Sequence, residues 1–441
     1  MLKNFLQPVN KLPPEVLSKV FEHRRSERDL VAATHVCRYW RSSLVSSPSL
    51  WTCLRLHKGT DCTRTYLERS KSVPIDIEFN PQFSWFCRIY SKPLLSHIGR
   101  ARSLRIHGPI NIVREAALSA LRDHAPSLQH LEVDGRQDKD RGRGDVIWLP
   151  DNFPGQHTPA LLSVHFTNAF PTLKSHSLFP NLTTFKLLLQ RPASPLRASA
   201  LFLALSSSPQ LKQVFICILT TMIGDIASDI LVSLESLEEL EYRCSSSEIR
   251  VLPHMRLPRL RILTVDTRAD ILADLLPFDG HLLLSDTTTM VYHHSRKTSR
   301  KAEFRGSGVE IGIFSTSLSE DTDPVDWFSD MFPTAFGQIQ HLVIKDVSGA
   351  TFYRTADLPV AVFENLEVLC FVECAVWFID AISRMLYPQN REGIPCRSLR
   401  EISCKSRRAL IPLNQLARER KRVGSQFELF CDGIPQQDSA T

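Results

Sequence analysis

The sequence predicts an α/β solenoid, a curved horseshoe of parallel strands and helices, preceded by a small all-α helical module. Three observations predict it. A phrase of one apolar residue, any two residues, a second apolar residue, any one residue and a third apolar residue recurs from position 101 to position 404. Segments with helical periodicity lie between the phrases, and strands alternating with helices at short period favour a parallel sheet. The chain before Trp51 carries helical stripes instead of the phrase.

Composition sets the frame. A chain of 441 residues that is 43% apolar and 23% charged is a folded protein, since disordered chains have too little apolar content to build a core. A solenoid can reach this length because each repeat packs only on its neighbours. The formal net charge is +6, from 53 basic and 47 acidic residues scattered along the chain, which gives no electrostatic push toward nucleic acid or a membrane surface. Eleven cysteines without a C-x-x-C pair signal neither a disulfide framework nor a zinc site, and a reducing compartment, cytoplasm or nucleus, is expected. No apolar run approaches the ~20 residues of a membrane span, and Met1 to Asn10 lacks the pattern of a secretory leader. Phosphate-binding, nucleophile-elbow and zinc-protease motifs are absent. The expectation is therefore a non-enzymatic protein with no cofactor and no metal.

The N-terminal module spans 9–50. Pro13 and Pro14 mark a helix start, because a first helical turn has no use for the missing N–H. Leu12, Val16, Leu17, Val20 and Phe21 follow at helical spacing as one apolar stripe. Asp29 is placed to cap a second helix, whose stripe is Leu30, Ala33, Val36, Cys37, Trp40 and Leu44, ended by Ser46, Ser47 and Pro48. So short a piece of chain cannot bury this much apolar surface alone. Part of it must be covered by the following domain or by a partner.

Leu12-Pro13-Pro14-Glu15-Val16-Leu17, Asp29-Leu30, Val36-Cys37-Arg38-Tyr39-Trp40-Arg41 and Ser47-Pro48-Ser49-Leu50-Trp51 together resemble the F-box motif in order and spacing. The resemblance implies a Skp-family adaptor as partner and, through it, a cullin and ubiquitin transfer. By position it implies adaptor contacts from Leu12, Pro13, Pro14, Val16, Leu17, Val20, Phe21, Leu30, Val36 and Trp40.

The repeat array is expected over 51–431. Copies are Leu128-Leu131-Val133, Leu161-Val164-Phe166, Leu182-Phe185-Leu187, Leu211-Val214-Ile216, Leu237-Leu240-Tyr242, Leu260-Leu263-Val265, Ile339-Leu342-Ile344, Leu366-Leu369-Phe371 and Leu399-Ile402-Cys404, with an earlier weaker copy at Ala101-Leu104-Ile106. Their spacing resembles that of leucine-rich repeats, though the Asn or Cys that should follow the last apolar residue is mostly absent. Thr287-Met290-Tyr292 and Val309-Gly312-Phe314 are degenerate candidates inside the long gap. Helices are expected at 113–121, 198–205, 226–234 and 378–386. A last helix runs through Leu413, Leu416, Arg420 and Val423, with Gly424 as its cap and a closing strand at 427–430. Residues 432–441 are expected as a frayed tail. Arg296 to Arg305 reads as a basic loop and Arg418 to Arg422 as a solvated helix face.

On a strand, neighbours alternate faces, so the residues flanking each middle apolar residue point away from the core. That rule nominates His130, Glu132, Phe215, Glu239, Glu241, His341, Val343 and Cys370 as a target-binding face for an unknown protein substrate. The rival readings are a repeat scaffold without ubiquitin transfer and a nucleic-acid-associated solenoid using the two basic runs.

Overall fold

The computed structural model describes residues 8–23, 27–56, 60–80, 97–120, 125–136, 146–149, 158–171, 180–190, 196–218, 222–223, 231–244, 251–267, 287–294, 300–306, 310–315, 338–345, 363–388 and 394–436. The chain forms two compact units, Met1–Pro195 with Ala200–Leu211, and Leu196–Ser199 with Lys212–Thr441.

The first unit opens with helices α1 (Pro14–Glu22), α2 (Glu27–Ala33) and α3 (Arg38–Val45) and a 3-10 turn at Pro48–Trp51. Six parallel strands follow: β1 (Cys53–Arg55), β2 (Ile75–Phe79), β3 (Ala101–Pro109), β4 (His130–Arg136), β5 (Ser163–Thr167) and β6 (Thr184–Leu189). They pair in chain order, with α4 (Thr60–Arg69) between β1 and β2 and α5 (Ile110–Ala120) between β3 and β4. Short strands Ile147–Leu149 and Ala169–Pro171 make a second parallel pair, and α6 is Ala198–Ser206.

The second unit repeats the scheme with β7 (Gln213–Ile218), β8 (Glu239–Cys244) and β9 (Ile262–Thr267) in parallel. Strands β10 (Thr287–His294), β11 (Arg300–Gly306) and β12 (Glu310–Ser315) come next, then β13 (His341–Lys345), β14 (Val368–Val372), β15 (Glu401–Cys404) and β16 (Glu428–Cys431) in parallel. Helices α7 (Val376–Met385) and α8 (Leu410–Arg422) lie in the last two intervals. Both units are thus mostly parallel-stranded sheets with helices, and no described helix is long and apolar enough to cross a membrane.

The recurring phrase is the core. Every one of its residues in these ten copies, the weaker one at Ala101 included, is at most 3% exposed, and the middle residues are register partners from strand to strand, as in Leu104, Leu131, Val164 and Phe185. A one-residue slip would turn this whole set to water, so the pattern pins the register.

Several expectations need correction. The two degenerate copies do form strands, β10 and β12, but in swapped order: β9 pairs with β12 and β10 pairs with β13. Between them β11 runs antiparallel to both, so 300–306 is a strand, with Phe304 fully buried, where a basic loop was expected. The cause is chain length. A parallel crossover needs a dozen or more residues, and the chain from His294 to Arg300 and from Gly306 to Glu310 is too short for one. The second F-box-region helix is two helices, broken at Thr34–Cys37, with the Cys37 sulfur accepting from Trp40 N–H to cap α3. Asp29 lies inside α2 and not at its cap. In the interval expected as a helix at 226–234, Val232–Ser233 is extended and pairs with Met255–Arg256, while 224–230 lie outside the described residues. The last described turn also continues past 432, since Ile434–Pro435 (β17) pairs antiparallel with Phe430 and Cys431.

Candidate interaction surfaces

In the N-terminal module the apolar stripe of α1 divides. Leu17 is 1% exposed and Phe21 is buried with it, one turn on; Leu30, Ala33, Leu44, Leu50 and Trp51 complete this interior. Phe21 meets the Trp40 ring edge-on at 5.5 Å. Trp40 donates Nε1–H to Asn10 Oδ1 at 2.7 Å, Trp51 donates Nε1–H to the Leu44 carbonyl at 2.9 Å, and Tyr39 donates its hydroxyl to the Leu12 carbonyl. Ser18 and Ser47 share a hydrogen bond at 2.6 Å that ties α1 to the turn before Leu50.

The other half of the stripe faces water. Val16 and Val20 are 44% and 47% exposed, and Val9, Val31, Val36 and Tyr39 are exposed too. These six are half of the large exposed apolar side chains among the described residues. Val16 and Val20 lie one turn apart on the same face of α1, so their exposure is adjacent rather than scattered. Of the ten positions nominated for adaptor contact, Pro13, Pro14, Val16, Val20 and Val36 are open, Leu12 and Trp40 are half-buried, and Leu17, Phe21 and Leu30 are interior. Those three hold the module together and are not available to a visitor. Val9, Val31 and Tyr39 are exposed without having been nominated, because periodicity tells which residues share a stripe and not which side of it a neighbouring helix covers.

On the strands, alternation places the nominated residues outward. His130, Glu239 and His341 are exposed, and Glu132, Phe215, Glu241, Val343 and Cys370 are half-buried. In the first unit the outward row Arg55, Glu78, Arg105, Glu132, His165, Lys186 is in register across all six strands. Opposite charges meet along it: Arg55–Glu78 at 3.1 Å, Arg105–Glu132 at 3.6 Å and Glu132–His165 at 3.5 Å. Beside this row His107 donates Nδ1–H to Asp134 at 3.5 Å. That hydrogen bond raises the His107 pKa and, with Arg136 nearby, holds the Asp134 carboxyl below its usual range. His165 does the same for Glu132. In the second unit Arg243 pairs with Glu241 at 2.5 Å and lies 5.9 Å over the Phe215 ring.

Two residues just past strand ends tie neighbouring strands together. Asn168, fully buried at φ +50°, donates to the Gly135 carbonyl at 2.8 Å and accepts from Gln190 N–H at 2.7 Å, joining three consecutive strand ends. Cys374 donates Sγ–H to the Ile344 carbonyl at 3.3 Å. A Cβ on Gly135 would stand 2.8 Å from Ile147 Cδ1 and 3.0 Å from Ile110 Cγ1, so those side chains would have to shift to admit it. Among the described residues no group of His, Cys, Asp and Glu could hold a metal ion.

No curated protein matches the chain. The F-box-like family model matches residues 9–57, the segment whose helices leave the valines exposed. The N-terminal module of this chain is an F-box-like domain.

Proposed function

We propose that this chain is a substrate-receptor subunit of a Skp/cullin/F-box-type ubiquitin ligase. The F-box-like domain binds a Skp-family adaptor and through it a cullin; the strand faces hold a protein target. The chain itself makes and breaks no bonds. Its contribution is proximity, because a target lysine held near a ubiquitin-charged enzyme reacts as if intramolecularly. The observation that carries this reading is the set of exposed apolar side chains, Val9, Val16, Val20, Val31, Val36 and Tyr39, on a domain of the F-box-like family.

The test is a pull-down of adaptor and cullin with wild type and with Val16→Asp combined with Val20→Asp. Wild type is expected to retain both, and the double variant to lose both while keeping its thermal midpoint, since neither valine is in the interior. Retention of adaptor by the variant, or adaptor without cullin in the wild type, overturns the reading.

A further inference from the structure

Charge is handled in two ways on the outward strand faces. Asp76, Glu78, Glu132, Asp134, Glu239 and Glu241 each have an Arg, His or Gln partner within 3.6 Å. Glu401 and Glu428 do not. They are direct register partners on β15 and β16, so about 4.8 Å separates their strands, and among the described residues neither meets a cation. The adjacent Arg400 is instead aligned with Glu367 at 3.9 Å. Like charges directly opposed on a sheet oppose pairing. Most acids on the outward faces meet a cation, whereas these two stand side by side.

The next outward row on the same strands is Val343, Cys370, Ser403 and Phe430, again in register, with Val368 and Val372 flanking Cys370 along β14. All are half-exposed. The outward groups of β13, β14 and β16 in this row are therefore apolar, with Ser403 between them on β15, and the neighbouring row carries two carboxylates that meet no cation among the described residues. The cation that this arrangement lacks fits a side chain brought by a ligand.

We propose that the outward face of β13 to β16 binds a protein segment whose apolar side chains lie along Val343, Cys370 and Phe430 and whose neighbouring Lys or Arg is held between Glu401 and Glu428. This rests on the target-holding role given above to the strand faces, and it names the chemistry of the target.

The experiment uses the full chain and three fluorescent peptides read by anisotropy: one of Lys and Leu, one of Glu and Leu at the same positions, and one of Lys and Ser. The Lys–Leu peptide is expected to bind at least tenfold more tightly than the other two, weakening with salt. Glu401→Gln with Glu428→Gln is expected to lower its affinity at least tenfold while leaving the thermal midpoint equal or higher, because the repulsion is gone. Equal binding of the Glu–Leu peptide, unchanged binding by the double variant, or no binding of the Lys–Leu peptide overturns the inference. Adaptor capture in the same preparations reads the other end of the chain. Peptide failure with adaptor retained removes only this inference, and adaptor failure with peptide binding retained removes only the ligase reading.

Discussion

Arg420 and Arg100 do the same work in the two units. Arg420 is fully buried and meets no carboxylate among the described residues; its guanidinium donates to the carbonyls of Leu386, Pro395 and Cys396. Arg100 donates to the carbonyls of Val73 and Leu67 and to Ser70 Oγ. Leu386 and Leu67 stand at the C-terminal ends of α7 and α4, where the last carbonyls of a helix have no partner of their own and the helix dipole is negative. A planar fork of five donors can satisfy several of them at once; an ammonium cannot. Arg420→Met and Arg420→Lys are therefore both expected to cost about 2–3 kcal/mol in urea unfolding, with lysine giving little rescue. Burial also controls the thiols. It pushes Cys396 and Cys404 up to about 12, leaving almost no thiolate at neutral pH. A thiol reagent at neutral pH is expected to label the exposed Cys53 and to spare Cys396 and Cys404 until denaturant is added, as read by mass spectrometry of the peptides.

At the scale of an element, α1 shows how one stripe serves two purposes. Leu17 and Phe21 pack inward and Val16 and Val20 outward, so aspartate at the two kinds of site is expected to do different things. Leu17→Asp buries a carboxylate and should unfold the module, with loss of helical circular dichroism, whereas Val16→Asp and Val20→Asp should leave the spectrum unchanged. The charged strand row gives a pH dependence. His107, held above its ordinary value of 6.5, stabilises the fold in full below about 6.5 and loses that contribution as pH rises through its folded value. Glu132 and Asp134, held below 4.5 and 3.8, contribute above those values and lose it as pH falls. From these groups the first unit is expected to be most stable between about pH 4.5 and 6.5, by a modest amount because the cluster is partly solvated. His107→Gln should flatten the neutral limb of that curve, measured by thermal unfolding across pH. The strands and their outward residues were legible in the sequence because a period of two leaves little freedom. The break in α2–α3 was not, because the Cys37 cap is a single weak acceptor.

Across the whole molecule, the F-box-like domain is not closed by its own residues. The Trp51 ring is held by Tyr66 edge-on at 4.9 Å and by Arg69 at 4.3 Å, and Leu54 and Leu56 are buried beside β1, which pairs with β2. A fragment ending at residue 57 is expected to show a solvent-shifted tryptophan emission and a lower thermal midpoint than one ending at 211. The apolar phrase and its spacing determined from sequence alone where the strands lie and which of their residues are interior, and the four motif fragments together pointed to an F-box-like module; these are local patterns, and strand burial follows them directly. Only the tertiary structure decided the strand order of β9 to β13, which face of α1 stays open, and that Glu401 meets Glu428, because each depends on which distant segment lies alongside, and no period within one segment records its neighbour.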